Sequence, residues 1–131
     1  MRALLPPGWP RPKGYSNGIS ASGRMIFTAG VVGWDEGERF VGEDMVSQFR
    51  QVLVNTLAIL AEDGAGPEHI VRMTWYVTDR DEYVGRLAEI GAVYRELIGK
   101  NFPTMAVVEV SRLVEPLARI EIETTAMVPE P

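Results

Sequence analysis

Apolar positions change period several times along the chain, and each change marks an element. Ile19 opens a short alternating stretch that closes at the turn Ser22-Gly23. The run Arg24-Met25-Ile26-Phe27-Thr28-Ala29-Gly30-Val31-Val32 then ends at Gly33. A mostly apolar run bounded by glycine predicts a buried strand, and the two stretches together predict a hairpin. Beyond the polar loop at Asp35-Glu36-Gly37-Glu38 the period becomes 3.6. Met45, Phe49, Val52, Thr56 and Leu60 share one stripe, widened by Leu53 and Leu57, with Glu43 and Asp44 at the positive end of the helix and Gly64-Ala65-Gly66-Pro67 stopping it.

Alternation returns at Val71-Arg72-Met73-Thr74-Trp75-Tyr76-Val77, which places Val71, Met73, Trp75 and Val77 on one strand face. A second helix is expected from about Arg80 to Ile98, with Val84, Leu87, Ile90, Tyr94 and Leu97 as its apolar stripe and Gly99 closing it. Pro103 introduces a strand over Met105–Val110. The longest strand follows at Arg119–Val128, where Ile120, Ile122, Thr124, Ala126 and Val128 face one way and Arg119, Glu121, Glu123, Thr125 and Met127 the other. Residues 1–14, with Pro6, Pro7, Pro10 and Pro12 around Trp9, predict an extended arm. The order defines a single α+β domain over residues 1–131. Two helices cover one sheet face only. Val107 and Met127, assigned to the other face, leave it apolar enough to call for a second copy of the chain.

Composition then removes whole classes of chemistry. With 131 residues, 46% of them hydrophobic, the chain can bury one core. A net charge of −5 with scattered Lys and Arg argues against a nucleic-acid surface, which needs a concentrated positive patch. The absence of cysteine removes disulfides and thiolate nucleophiles, and the single His69 leaves no histidine metal centre. Neither a metal nor a cofactor is expected. No apolar stretch approaches a membrane span, and Pro6-Pro7 interrupts the opening Met1-Arg2-Ala3-Leu4-Leu5, so a cytoplasmic location is the expectation. The carboxylates Glu121 and Glu123 stand out because they project from a strand whose other face is core. Partial desolvation there raises a carboxyl pKa and suits proton transfer, whereas a structural ion pair with Arg119 is the plainer reading.

Several segments resemble the RidA/YjgF family of imine and enamine deaminases, also called L-PSP endoribonucleases. They are Gly14-Tyr15-Ser16, Phe27-Thr28-Ala29-Gly30, the Gln48–Leu60 helix with Asn55, Gly64-Ala65, Ile70–Asp79, Tyr94, Phe102-Pro103, Val108–Leu113 and Ile120-Glu121-Ile122-Glu123. The resemblance implies a chorismate-mutase-like fold, with a mixed six-stranded sheet and two helices on one face. It also implies a homotrimer that closes a central barrel, with a small-molecule pocket at each subunit interface.

In such proteins an arginine after a Pro-Ala pair binds the substrate carboxylate, a glutamate on the last strand positions water, and a tyrosine ahead of the first strand lines the cleft. Here the arginine position is Met105. Ala29 and Val31 stand for the serine and glutamine of the first strand, Gly91 for a helix asparagine, and Val107 for a frequent cysteine. Tyr15 and Glu121 remain as the catalytic pair. Met105, Ala29, Val31, Gly91 and Val107 would form a wider, more apolar ligand site, with Arg119 as the substitute cation, about 6.5 to 7 Å from Glu121 along one strand face. Such a pocket suits a larger or less charged ligand, aromatic or an acyl derivative. Two readings follow: a hydrolase of an enamine, an imine or a related catabolic intermediate that spares 2-aminoacrylate, and a trimer that binds a small ligand without chemistry. A ribonuclease reading is opposed by the acidic balance and the lone His69.

Overall fold

The structure, a computed structural model, describes residues 1–131 throughout. Five strands form the main sheet: β3 (Arg24–Phe27), β4 (Val31–Val32), β5 (Ile70–Val77), β6 (Thr104–Glu109) and β7 (Ile120–Val128). β3 and β4 both pair antiparallel with β7, which pairs antiparallel with β5, and β5 runs parallel to β6. Helix α1 (Met45–Ala61) packs beside α3 (Leu87–Leu97) on one face, and the short α2 (Arg80–Gly85) precedes α3. The domain is therefore α+β with a mixed sheet, as the sequence implies. No helix is long and apolar enough to cross a membrane.

The expected hairpin does not form. The strand at Ile19, β2 (Gly18–Ser20), pairs instead with β1 (Arg2–Leu4), so the N-terminal arm returns as a two-stranded ribbon separate from the main sheet. The main sheet consequently has five strands, not six. The expected single strand Arg24–Val32 is also broken. Phe27 opposes Thr125 and Val31 opposes Ile122, so three residues face two, which defines a bulge. The Thr28 hydroxyl accepts from the Thr124 N–H at 3.1 Å and donates to the Ala29 carbonyl at 2.8 Å, satisfying groups the ladder loses there. A second bulge lifts Val71 out of the alternation, so Ile70, not Val71, joins Met73, Trp75 and Val77 in the core.

Helix α1 matches its periodicity closely. The Asp44 side chain accepts from the Ser47 N–H at 3.0 Å as N-cap, and Met45, Phe49, Val52, Leu53, Thr56 and Leu60 are fully buried. Inside the same helix, buried Gln48 donates to the Gly42 and Leu117 carbonyls at 3.0 and 2.9 Å. It also accepts from the Arg119 N–H at 2.8 Å, tying two long loops to α1. The second predicted helix is broken at Arg86, whose φ of −115° and ψ of 17° leave the helical basin. Val84 and Leu87 are consequently half exposed, and Val93 and Ile98 take the buried places expected of them.

β7 alternates as expected: Ile120, Ile122, Thr124 and Ala126 face the helices and are buried. The opposite, uncovered face carries Met25 and Phe27, which are 52% and 65% exposed, with Met127 alongside. Val107, expected on that face, packs against the helix-covered core instead.

Candidate functional site

Tyr15 is held by backbone anchors on either side of the next residue. The Ser16 N–H donates to the Pro103 carbonyl at 3.0 Å, and the Ser16 hydroxyl donates to the Phe102 carbonyl at 2.5 Å. This fastens Tyr15 beside the start of β6, where Met105 and Val107 alternate toward the helices. Across from them α3 presents Gly91 and Tyr94. Tyr15, Gly91, Met105 and Val107 thus line one open groove of about 730 Å³. Its aromatic wall is built from Trp75, Tyr83, Tyr94 and Phe102. The Tyr94 and Phe102 rings stack at 6.5 Å with 12° between their planes, and Tyr83 meets Trp75 edge-on at 6.3 Å. The Tyr94 hydroxyl donates to the Asn101 carbonyl at 2.6 Å, and burial pushes its pKa upward, so it stays neutral and fixed. The Trp75 indole N–H, buried in this wall, has no acceptor.

Glu121 is elsewhere. It opposes Val32 on one side and Tyr76 on the other, on the sheet face away from the helices. Burial, reinforced by the nearby Glu123 charge, raises its pKa above the ordinary carboxylate value. Glu123 itself accepts a hydrogen bond from the Tyr76 hydroxyl at 2.8 Å, which leaves the Glu121 carboxylate without that donor. The strand bulge sets Gly30 against the Glu121 side chain. A Cβ at Gly30 would lie 2.3 Å from Glu121 Oε2, so only glycine leaves the carboxylate its present position.

The expected residues therefore fall into separate places. Tyr15, Gly91, Met105 and Val107 share the groove, whereas Glu121 sits against Gly30 on the opposite sheet face and Ala29 is an exposed residue of the bulge. Val31 is a core residue, 8% exposed and packed among buried side chains. Arg119 does not pair with Glu121. Its guanidinium meets Glu82 at 3.4 Å and lines a different cleft of about 1140 Å³, between the Phe40–Glu43 segment and the Ser111–Ala118 loop. His69 accepts at Nδ1 from the Gly66 N–H at 3.0 Å, capping the 3-10 turn Pro67–His69. No group of His, Cys, Asp and Glu side chains is placed to hold a metal.

Two residues escape the sequence reading. Gly30 was visible only as part of a strand, because its role depends on the bulge. Arg95, one helical turn beyond Gly91, also lines the groove. Its signal in the sequence is the i, i+4 spacing from Gly91, which has meaning only once α3 is known to border the groove.

The molecule is a helix-covered mixed sheet with an aromatic groove on one side and a desolvated glutamate on the other, and known proteins share this fold. The profile of the Endoribonuclease L-PSP family matches residues 10–128, and the chain belongs to that family, the RidA/YjgF proteins. A RutC family protein of Pyrococcus abyssi is 37% identical over 119 residues, 89% of either chain. The 2-iminobutanoate/2-iminopropanoate deaminase of Salmonella typhimurium is 33% identical over 116 residues, 86% of either chain. Among solved structures, the Rid-family protein YyfB of Yersinia pestis superposes with a TM-score of 0.82 at 32% identity, covering 97% of this chain and 98% of its own.

Proposed function

We propose that this protein is a Rid-type hydrolase of a reactive imine or enamine, working as a homotrimer in which Glu121 of one copy faces the groove of the next. The observation that carries the reading is the Glu121 carboxylate, raised in pKa and given room by Gly30 on an uncovered sheet face. The exposed Met25 and Phe27 on that face and the separation of Glu121 from the groove both support assembly, since neither half is a complete site alone. The similarity to a 2-iminobutanoate/2-iminopropanoate deaminase supports the reaction class.

In this reading Glu121 takes a proton from a water whose oxygen adds to the C=N carbon, while the nitrogen gains a proton from solvent, balanced by the hydroxyl proton released to solvent at the next step. The resulting carbinolamine loses ammonia as Glu121 returns its proton to nitrogen and the hydroxyl proton leaves. One imine and one water give one carbonyl product and one ammonia. A carboxylate whose pKa has moved toward neutrality is better matched to both proton transfers. Tyr15 lines and orients the substrate. With Met105 in place of a bidentate arginine, small 2-imino acids lack their anchor at that position.

Imines generated in situ by an L-amino acid oxidase, with semicarbazide as competing trap, provide the test. Addition of the protein should divert imine to 2-oxo acid and ammonia, Glu121→Gln should abolish the diversion, and the imine from alanine should respond weakly. Light scattering should report about three times 14.5 kDa. A stable monomer, or no acceleration across imines from aliphatic, acidic and aromatic amino acids, would falsify the reading.

A further inference from the structure

Helix α3 carries a cation that no side chain answers. Arg24, Arg39, Arg50, Arg80, Arg86 and Arg119 each meet a carboxylate. Arg95 meets none, and among the arginines without such a partner (Arg2, Arg11, Arg72, Arg95 and Arg112) it alone lines the aromatic groove, where it is exposed. Its guanidinium folds back along the helix over Gly91, where a Cβ would stand 3.3 Å from Nη1. Glycine is a poor helix former, and Gly91 lies in the middle of α3 with backbone geometry any residue adopts. What its missing side chain provides is space for the Arg95 head group.

Lys13, next to Gly14 and Tyr15, adds a second unpaired cation to the same groove, and no carboxylate lines it. Within a chain of net charge −5, this groove is a local positive well with apolar walls, which concentrates anions. Tyr15, Leu87 and Phe102 leave 43%, 49% and 42% of their surfaces uncovered around it, enough apolar area to receive a ring.

We propose that the groove binds a carboxylate bearing an aromatic substituent, with the ring against Phe102, Tyr94 and Leu87 and the carboxylate on Arg95. Resting on the hydrolase reading, the substrate class is the 2-imino acid of an aromatic amino acid. The carboxylate anchor that Met105 cannot provide then comes from α3. An anchor set further from the strand leaves room for a ring between the two, and a methyl-sized substrate would leave that room empty.

The test uses phenylpyruvate and pyruvate, the 2-oxo acids of a benzyl- and a methyl-bearing substrate, titrated by calorimetry. Phenylpyruvate should bind at least tenfold more tightly than pyruvate. Arg95→Gln should lose tenfold or more of that affinity with an unchanged melting temperature, since it has no partner to lose. Arg86→Gln, whose arginine is paired with Glu89 away from the groove, should bind like wild type. Gly91→Ala keeps every charge but crowds the guanidinium, so its melting temperature should rise while its affinity falls. In turnover of the imine from phenylalanine, Arg95→Gln should raise KM far more than it lowers kcat. Equal binding of the two acids, or an Arg95→Gln variant that binds phenylpyruvate like wild type, overturns the proposal. Arg95-dependent binding without any imine hydrolysis upholds the anchor and removes the hydrolase reading. Imine hydrolysis at unchanged KM in Arg95→Gln does the reverse.

Discussion

Gly30→Ala separates the working of Glu121 from its packing. The added Cβ would stand 2.3 Å from Glu121 Oε2, 2.9 Å from Cδ and 3.2 Å from Cγ. Ordinary contact is about 3.4 Å or more, so the carboxylate oxygen has to retreat by about 1 Å. The backbone cannot yield, because Glu121 sits between Val32 and Tyr76 in two intact ladders. The side chain therefore rotates, and a rotation of about 30° from its well costs about 0.5–1.5 kcal/mol. For a chain of this length that corresponds to a fall of about 2–9 °C in Tm. A displacement of about 1 Å at a reacting group costs about a hundredfold in rate. The expected result is a folded, slightly less stable protein whose kcat on imines drops about a hundredfold. The double variant Gly30→Ala/Glu121→Gln should then lose no more activity than Glu121→Gln alone, because both act on one group. Scanning calorimetry beside the semicarbazide-competition assay provides the two readouts. Wild-type kcat in Gly30→Ala, or strictly additive losses in the double variant, would refute the assignment of Glu121 to the chemistry.

Stability against pH gives an independent check on the same carboxylate. Its folded pKa lies above the reference value of 4.5, so its protonated form favours the fold. That contribution is complete below 4.5 and is lost as pH rises through the folded pKa. Glu121→Gln should therefore gain on wild type in urea melts as pH rises above 4.5, and a variant that loses ground as pH rises contradicts the desolvated reading. Gln48→Ala should be the costlier change. It strands two carbonyls and one N–H that Gln48 now satisfies, at about 1–3 kcal/mol for each buried group left unpaired. A loss below about 1 kcal/mol in chemical denaturation would show that water replaces those bonds.

Regular elements were legible where one physical signal dominated. The stripe of α1 and the alternation of β7 come from burial on a single face, and both appear in the structure as the periodicity requires. Prediction failed where the ladder is irregular. A bulge inserts one residue and reverses the facing of everything beyond it, so Val31 turns into the core and Ile70 displaces Val71. Nothing in Thr28-Ala29-Gly30 announces the bulge without the partner strand against which it is counted. The false hairpin has a similar origin. Turn chemistry at Ser22-Gly23 ends one strand and begins another, but pairing is decided by partners remote in sequence: the arm for Ile19 and β7 for Ile26.

The candidate groove was legible in the residues that line it and obscure in its charge balance. Tyr15, Met105, Val107 and Gly91 were marked by resemblance, and they do converge on one groove. Arg119 was the natural substitute cation along the strand, but it is held by Glu82 of α2 and lines a different cleft. Choosing between Arg119 and Arg95 requires knowing which arginines already have carboxylate partners, and pairing is a tertiary property. Once the pairs are set, the changes at positions 91 and 105 can be understood together. Against the arginine that the resemblance implies, Met105 leaves β6 without a charge in the groove, and Gly91 makes room on α3 for the Arg95 guanidinium, which no carboxylate pairs. Had the groove simply lost its anion site, an unpaired arginine over a helix-weakening glycine would have had no compensating use. The proposed carboxylate between α3 and the aromatic wall would give both residues one.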